Sequence, residues 1–143
     1  MENTEPVGLQ QQATIPHTFT FTVQVDPQWV SYITQHPDIF GRPYYAGYWA
    51  CGVAHDPDLG WLVYEHGDDR CPDETEDARV EAIWRAGEPL PPRWFRLDRA
   101  AAFRMWEEGV KRWGVGWYDD PEHDGAREDV LLQLALLGEE RYG

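Results

Sequence analysis

The stretch Trp94-Phe95-Arg96-Leu97-Asp98-Arg99-Ala100-Ala101-Ala102-Phe103-Arg104-Met105-Trp106 changes periodicity at a single aspartate. Before Asp98, an aromatic-rich segment favours an extended strand. After it, Ala102, Phe103, Trp106, Val110 and Trp113 recur every three or four positions, forming one apolar stripe of a helix over 98–113. Asp98 stands where an N-cap belongs, and Gly114 where a C-terminal glycine cap belongs. A strand that runs directly into an amphipathic helix predicts α and β elements sharing one core.

Upstream, the breaker run Gly87-Glu88-Pro89-Leu90-Pro91-Pro92 separates Trp94 from an alternation of Val80, Ala82 and Trp84, which predicts a strand over 79–85 and a hairpin. A second hairpin is predicted from 45–53 and 61–65, joined by His55-Asp56-Pro57-Asp58-Leu59-Gly60. Phe19, Phe21, Val23 and Val25 alternate with threonines and Gln24, predicting a strand over 17–25. Asp26-Pro27 then supplies a cap and a proline for a short helix carrying Trp29, Val30 and Ile33, closed by His36-Pro37. Residues 1–16 are polar and aperiodic, a loosely held arm. Downstream, the leucines of 126–137 predict a buried helix. The expectation is a single α+β domain over 17–143: an antiparallel sheet of about five strands (17–25, 45–53, 61–65, 79–85, 93–97) covered by two or three helices.

Composition narrows the function classes. The 143 residues hold 26 Asp plus Glu against 12 Lys plus Arg, a net charge of −14. With 8 Trp, 7 Tyr and 5 Phe the chain is too aromatic for a disordered acidic tail, and at this length it can bury about two-thirds of its unfolded surface. No apolar run approaches the roughly 20 residues of a membrane span, and Met1-Glu2-Asn3-Thr4-Glu5 does not resemble an export signal. The expected location is the cytoplasm, with Cys51 and Cys71 reduced and Cys51 buried in its apolar strand. Their separation, without a CxxC pair, argues against structural zinc. A −14 surface disfavours direct nucleic-acid binding.

The acids are clustered. Residues 65–81 carry eight of them against Arg70 and Arg79, and residues 119–129 carry six against Arg127, while the segment between is mildly basic. No phosphate-binding loop is present; Ser31, the one serine, lacks a nucleophile elbow, and neither cysteine reads as a nucleophile. No catalytic residue, cofactor or metal is assigned. His55-Asp56-x-Asp58, His66-x-Asp68-Asp69 and Asp119-Asp120-x-Glu122-His123-Asp124 have donor types suited to divalent ions, but turns are rich in Asp for local reasons. Most tryptophans read as core, since a stacking platform for bases comes with a basic groove. Trp117-Tyr118, set between glycines and acids, reads as an exposed anchor for a partner.

The closing run Asp129-Val130-Leu131-Leu132-Gln133-Leu134-Ala135-Leu136-Leu137-Gly138-Glu139-Glu140-Arg141-Tyr142-Gly143 resembles the terminal signature of a family of small uncharacterised bacterial proteins met in phages and other mobile DNA. Gly47-Tyr48-Trp49-Ala50-Cys51 resembles that family's Tyr-Trp strand, and Trp94–Asp98 its strand-to-helix junction, so the likeness spans about 18–143. The Arg- and Pro-rich 85–99 region and the long arm depart from it. The family has no established catalytic residues; the resemblance implies a mobile-element context.

These readings converge on a non-enzymatic acidic binding protein. Its partner would be a basic protein or ribonucleoprotein of the host, its acids imitating nucleic-acid phosphates, as an inhibitor of restriction or CRISPR machinery would. The expected binding residues are Asp68, Asp69, Asp73, Glu74, Glu76 and Asp77, with Trp117, Tyr118, Asp119, Asp120, Glu122 and Asp124. Two alternatives stand beside it: a metal-dependent hydrolase or nuclease using His and Asp residues of 55–69, and an accessory protein whose acids only solvate it.

Overall fold

The computed structural model describes residues 14–36, 40 and 46–143. The arm expected over 1–16 lies, apart from its last three residues, outside the described residues. Helix α1 is Pro27–Gln35, and its first turn is capped by Asp26, whose carboxylate accepts the Gln28 N–H at 2.9 Å. Strands β1 (Ala50–Asp56), β2 (Gly60–Glu65) and β3 (Trp94–Leu97) form one antiparallel sheet in the order β1-β2-β3. Helix α2 (Glu74–Arg85) lies between β2 and β3 in sequence, and α3 (Arg99–Trp113) and α4 (Gly125–Leu137) follow β3. Asp98 caps α3 as its position predicts, accepting the Ala101 N–H at 2.9 Å, and Gly114 ends that helix at φ 91°. The α+β class and single-domain layout are those expected, with three strands among the described residues rather than five.

The strand β2 organises the layers. Trp61, Leu62 and Val63 are all buried, and alternate residues point to opposite faces. Trp61 and Val63 join Leu97 in a core with Trp29, Val30 and Ile33 of α1, Ala101, Ala102, Met105 and Trp106 of α3, and Leu131 and Leu132 of α4. Leu62 faces the other way, onto Trp94 and onto Val80 and Trp84 of α2. The sheet is therefore covered on both faces, by α2 on one and by α1, α3 and α4 on the other.

That arrangement corrects two expected strands. Residues 79–85 are the second half of α2: Val80 and Trp84, both fully buried, are four apart on one helical face, whereas Ala82 between them is exposed. The overlooked signal is Asp73 followed three residues later by Glu76, a capping pattern in which Asp73 accepts the Glu76 N–H at 2.9 Å. Residues 17–25 form no strand. They run as irregular backbone with Phe19 and Phe21 69% and 80% exposed, and only Val23 and Val25 of the alternation pack on the core. The segment lies along α3 instead, lining a cleft with Phe103, Trp106 and Val110, and pairs with no strand of the sheet.

Trp29, Trp106 and Trp117 meet edge-on, with ring centroids 5.0–5.8 Å apart. Gly109 on α3 makes the room, since a Cβ there would sit 2.5 Å from the Trp117 ring. In an exposed helix Gly→Ala gains roughly 1 kcal/mol. At Gly109 the overpacking cost of about 1–3 kcal/mol prevails. Gly109→Ala is expected to lower the urea midpoint, and a raised midpoint would show that the tryptophan cluster yields freely.

Candidate functional site

The first acidic segment is built on three supports. Cys71 is joined to Cys51 on β1 by a disulfide, which corrects the expectation that both are reduced; Cys51 is half-buried and Cys71 exposed. The thiols meet because β1 and the 66–73 loop leave the same end of the hairpin, where Cys51 pairs with Tyr64. Arg93 supplies the second support. Held at φ 74°, it donates to the His66 carbonyl at 3.1 Å and to Asp69 at 3.3 Å. The third is the start of α2, where Asp73 is the cap and Glu74, Glu76 and Asp77 fill the first turn, a placement the helix dipole favours.

Of these residues, Asp68, Asp69, Asp73, Glu74 and Glu76 are exposed, Asp69 by 72% of its side chain even while touching Arg93. Glu76 also pairs with Arg79 at 3.3 Å. Asp77 is half-buried; partial burial, together with Asp73, Glu76, Glu74 and Glu81 around it, pushes its carboxyl above the usual range. The segment expected as one loop is thus half loop and half helix start.

The second segment is different. Trp117 is fully buried in the tryptophan cluster and is no surface anchor, because the turn Trp117–Asp119 tucks it against Gly109; Tyr118 is half-buried beside it. Asp120 accepts the Glu122 N–H at 2.9 Å and a second bond from Arg127 at 3.2 Å, contacts that hold its carboxyl below the usual range. Asp124 is the cap of α4, accepting the Arg127 N–H at 3.1 Å. Glu128 and Asp129 are buried. Only Asp119, Glu122 and Asp124 remain exposed.

Asp129 belongs to a buried polar cluster that the sequence reading missed. Its carboxylate accepts from Trp49 Nε1 at 2.7 Å and from the Tyr48 hydroxyl. Gln133, one turn on, accepts the backbone N–H groups of Arg141 and Tyr142, each at 2.7 Å. Tyr142 stacks on Trp49 with centroids 5.5 Å apart, and both Arg141 (2.7 Å) and the Tyr142 hydroxyl donate to buried Glu65. The closing run and the Tyr48-Trp49 pair, noted separately in the sequence, are two halves of one clasp that fastens the C-terminal tail across the end of β2. A cleft of about 450 Å³ opens beside it, lined by Tyr48, Asp129, Glu140 and Tyr142 among others.

Among the described residues, neither the 55–69 region nor the 119–124 turn gathers three converging donors from its own residues alone. Asp56 is occupied by its own turn, accepting the Asp58 and Leu59 N–H groups, and by Arg85 at 3.0 Å. Among the described residues one group of three donors converges: Cys51, His66 and Cys71, whose ligand atoms lie within 4.8 Å of one another. Comparison with protein-family models, with curated proteins and with solved structures gave no match. Among the described residues no helix is long and apolar enough to cross a membrane.

The clasp has a pH signature. Tyr48 is half exposed, yet partial desolvation of its hydroxyl, reinforced by the Asp129 bond and charge, pushes it up to about 12 from its ordinary 10.0. Its folded-state value is the higher one, so its contribution to stability is complete below about pH 10 and is lost as pH rises towards about 12. In Asp129→Asn, ultraviolet titration is expected to show Tyr48 ionising at lower pH. Asp129→Ala strands the Trp49 indole N–H and is expected to cost roughly 2–4 kcal/mol in urea unfolding. A loss under 1 kcal/mol would mean that the clasp is dispensable.

Proposed function

We propose that the protein is a binding protein that engages a basic macromolecule, a protein or ribonucleoprotein, through the acidic segment from Asp68 to Glu76. The observation behind this reading is the exposure of Asp68, Asp69, Asp73, Glu74 and Glu76 on a loop cross-linked to β1 and continued by the start of α2. Such a segment presents its carboxylates with little conformational freedom left to lose, so their attraction for Arg and Lys is less offset by ordering. Their mutual repulsion, screened beyond about 8–10 Å at ordinary salt, is relieved when a cationic partner arrives. The 119–124 acids are secondary, because Asp120 and Asp124 are committed to Arg127 and to the α4 cap. The resemblance to mobile-element proteins favours a host defence complex as partner, with the segment standing in for phosphates.

Two sets of substitutions separate the surfaces. Asp68→Asn, Asp69→Asn, Glu74→Gln and Glu76→Gln together leave the Asp73 cap in place, while Asp119→Asn with Glu122→Gln neutralises the other segment. Capture from a bacterial lysate is expected to fall about tenfold or more between low and high salt, as steered charge pairs do. The first set is expected to abolish it and the second to reduce it slightly. Equal retention of the same basic partner by the first set would reduce these acids to solvation.

A further inference from the structure

We propose that Cys51, His66 and Cys71 form a thiolate–imidazole site for a zinc-class divalent cation when the cysteines are reduced, the disulfide being the oxidised alternative at the same place. This stands independently of the acidic-surface reading. The two sulfurs and an imidazole nitrogen lie within 4.8 Å of one another, and the cysteine Cα atoms are 6.4 Å apart. Tetrahedral zinc with bonds of about 2.3 Å holds two sulfurs about 3.8 Å apart. Cys71 is exposed on a loop, so rotation of its side chain is the movement that would open the two sulfurs to that separation.

His66 supplies the second, independent observation. Its Nε2 lies 3.2 Å from the Gly47 carbonyl, which can only accept, so Nε2 carries the proton and Nδ1 the lone pair. That Nδ1 is buried and has no hydrogen-bond partner. A buried acceptor without a donor is costly, whereas an imidazole whose other nitrogen is fixed by a backbone carbonyl is the arrangement found behind metal-bound histidines. The ring is held in place from its own backbone as well, since the His66 N–H donates to the Trp49 carbonyl at 2.9 Å. Two sulfurs and one nitrogen select zinc-like ions over magnesium or calcium. The fourth position falls to water on the solvent side of Cys71.

The interconversion balances with a cellular dithiol as reductant. The Cys51–Cys71 bond breaks as a disulfide forms in the reductant, and two electrons and two protons pass to the cysteines. Metal binding then releases those two protons as both sulfurs coordinate as thiolates.

The test uses the full chain in both redox states, reduced with a phosphine under argon and titrated with Co²⁺, then Zn²⁺. The reduced wild type is expected to bind one equivalent of cobalt with thiolate-to-metal charge-transfer absorption, and zinc should bleach it; the oxidised chain should show neither. His66→Gln retains both thiols and the ability to form the disulfide, yet is expected to bind cobalt at least about tenfold more weakly, a lower bound taken from the loss of an outer-sphere partner. Cys71→Ser should remove the charge-transfer band. The proposal is overturned if the reduced wild type gives no such band, if His66→Gln binds as tightly as wild type, or if a reduced chain that unfolds is not refolded by zinc.

Discussion

Burial of β2 on both faces is the constraint from which the rest of the architecture follows. A three-stranded sheet has one central strand, and here that strand contributes Trp61 and Val63 to one side and Leu62 to the other. Neither face can be left to water without exposing large apolar area, at about 25 cal/mol per Å². The chain meets the demand by inserting α2 between β2 and β3, which covers the Leu62 face, and by placing the other three helices on the Trp61 face. The Pro-rich turn 87–92 then returns the chain to the sheet edge, so β3 pairs beside β2 with Trp61 opposite Leu97.

How much of this was legible follows from what each signal measures. Caps are local chemistry, and Asp26 and Asp98 both do what their positions predict. The capping pattern at Asp73 was equally local but was masked by the acid count of its neighbourhood, which drew attention to charge rather than to the helix beginning there. Val80 and Trp84 satisfy a period of two and a spacing of four alike; the Asp73 cap and the need for a lid on the second face decide between them. The 17–25 alternation fails for a related reason, since the segment lies along α3 rather than beside a strand, a tertiary outcome that no local pattern reports. The disulfide is also a tertiary fact: a sequence separation of 20 conceals that the end of the hairpin brings both cysteines together.

The same distinction sorts the carboxylates. Several of those that dominate the charge count are architectural. Asp26, Asp73, Asp98 and Asp124 cap helices, Asp56 closes a turn, and Glu65, Glu128 and Asp129 are buried acceptors. Trp29 Nε1 and His123 Nε2 both reach Glu128, and Trp49 reaches Asp129, so two of the large aromatics that fill the core are oriented by acids that composition alone would assign to the surface. The Asp129 carboxylate, surrounded by indole, phenol and amide donors, is tolerable because both of its oxygens accept, and removing one member leaves the others stranded.

Among the carboxylates without such a role, Asp68 and Asp69 stand together at one place. Asp68 caps no helix, and Asp69 meets Arg93 at a distance and exposure where an ion pair contributes little. Both sit on the loop that the cross-link and Arg93 hold in place. Arg93 itself, in the turn just before β3, adopts a left-handed backbone conformation, which costs a residue with a side chain of order 1–3 kcal/mol. A solvating surface has no need of that cost: acids on a slack loop hydrate equally well. Arg93 beside the acidic loop and a covalent tether within it narrow the positions its carboxylates can take, and that restriction is the feature on which the proposed binding role rests.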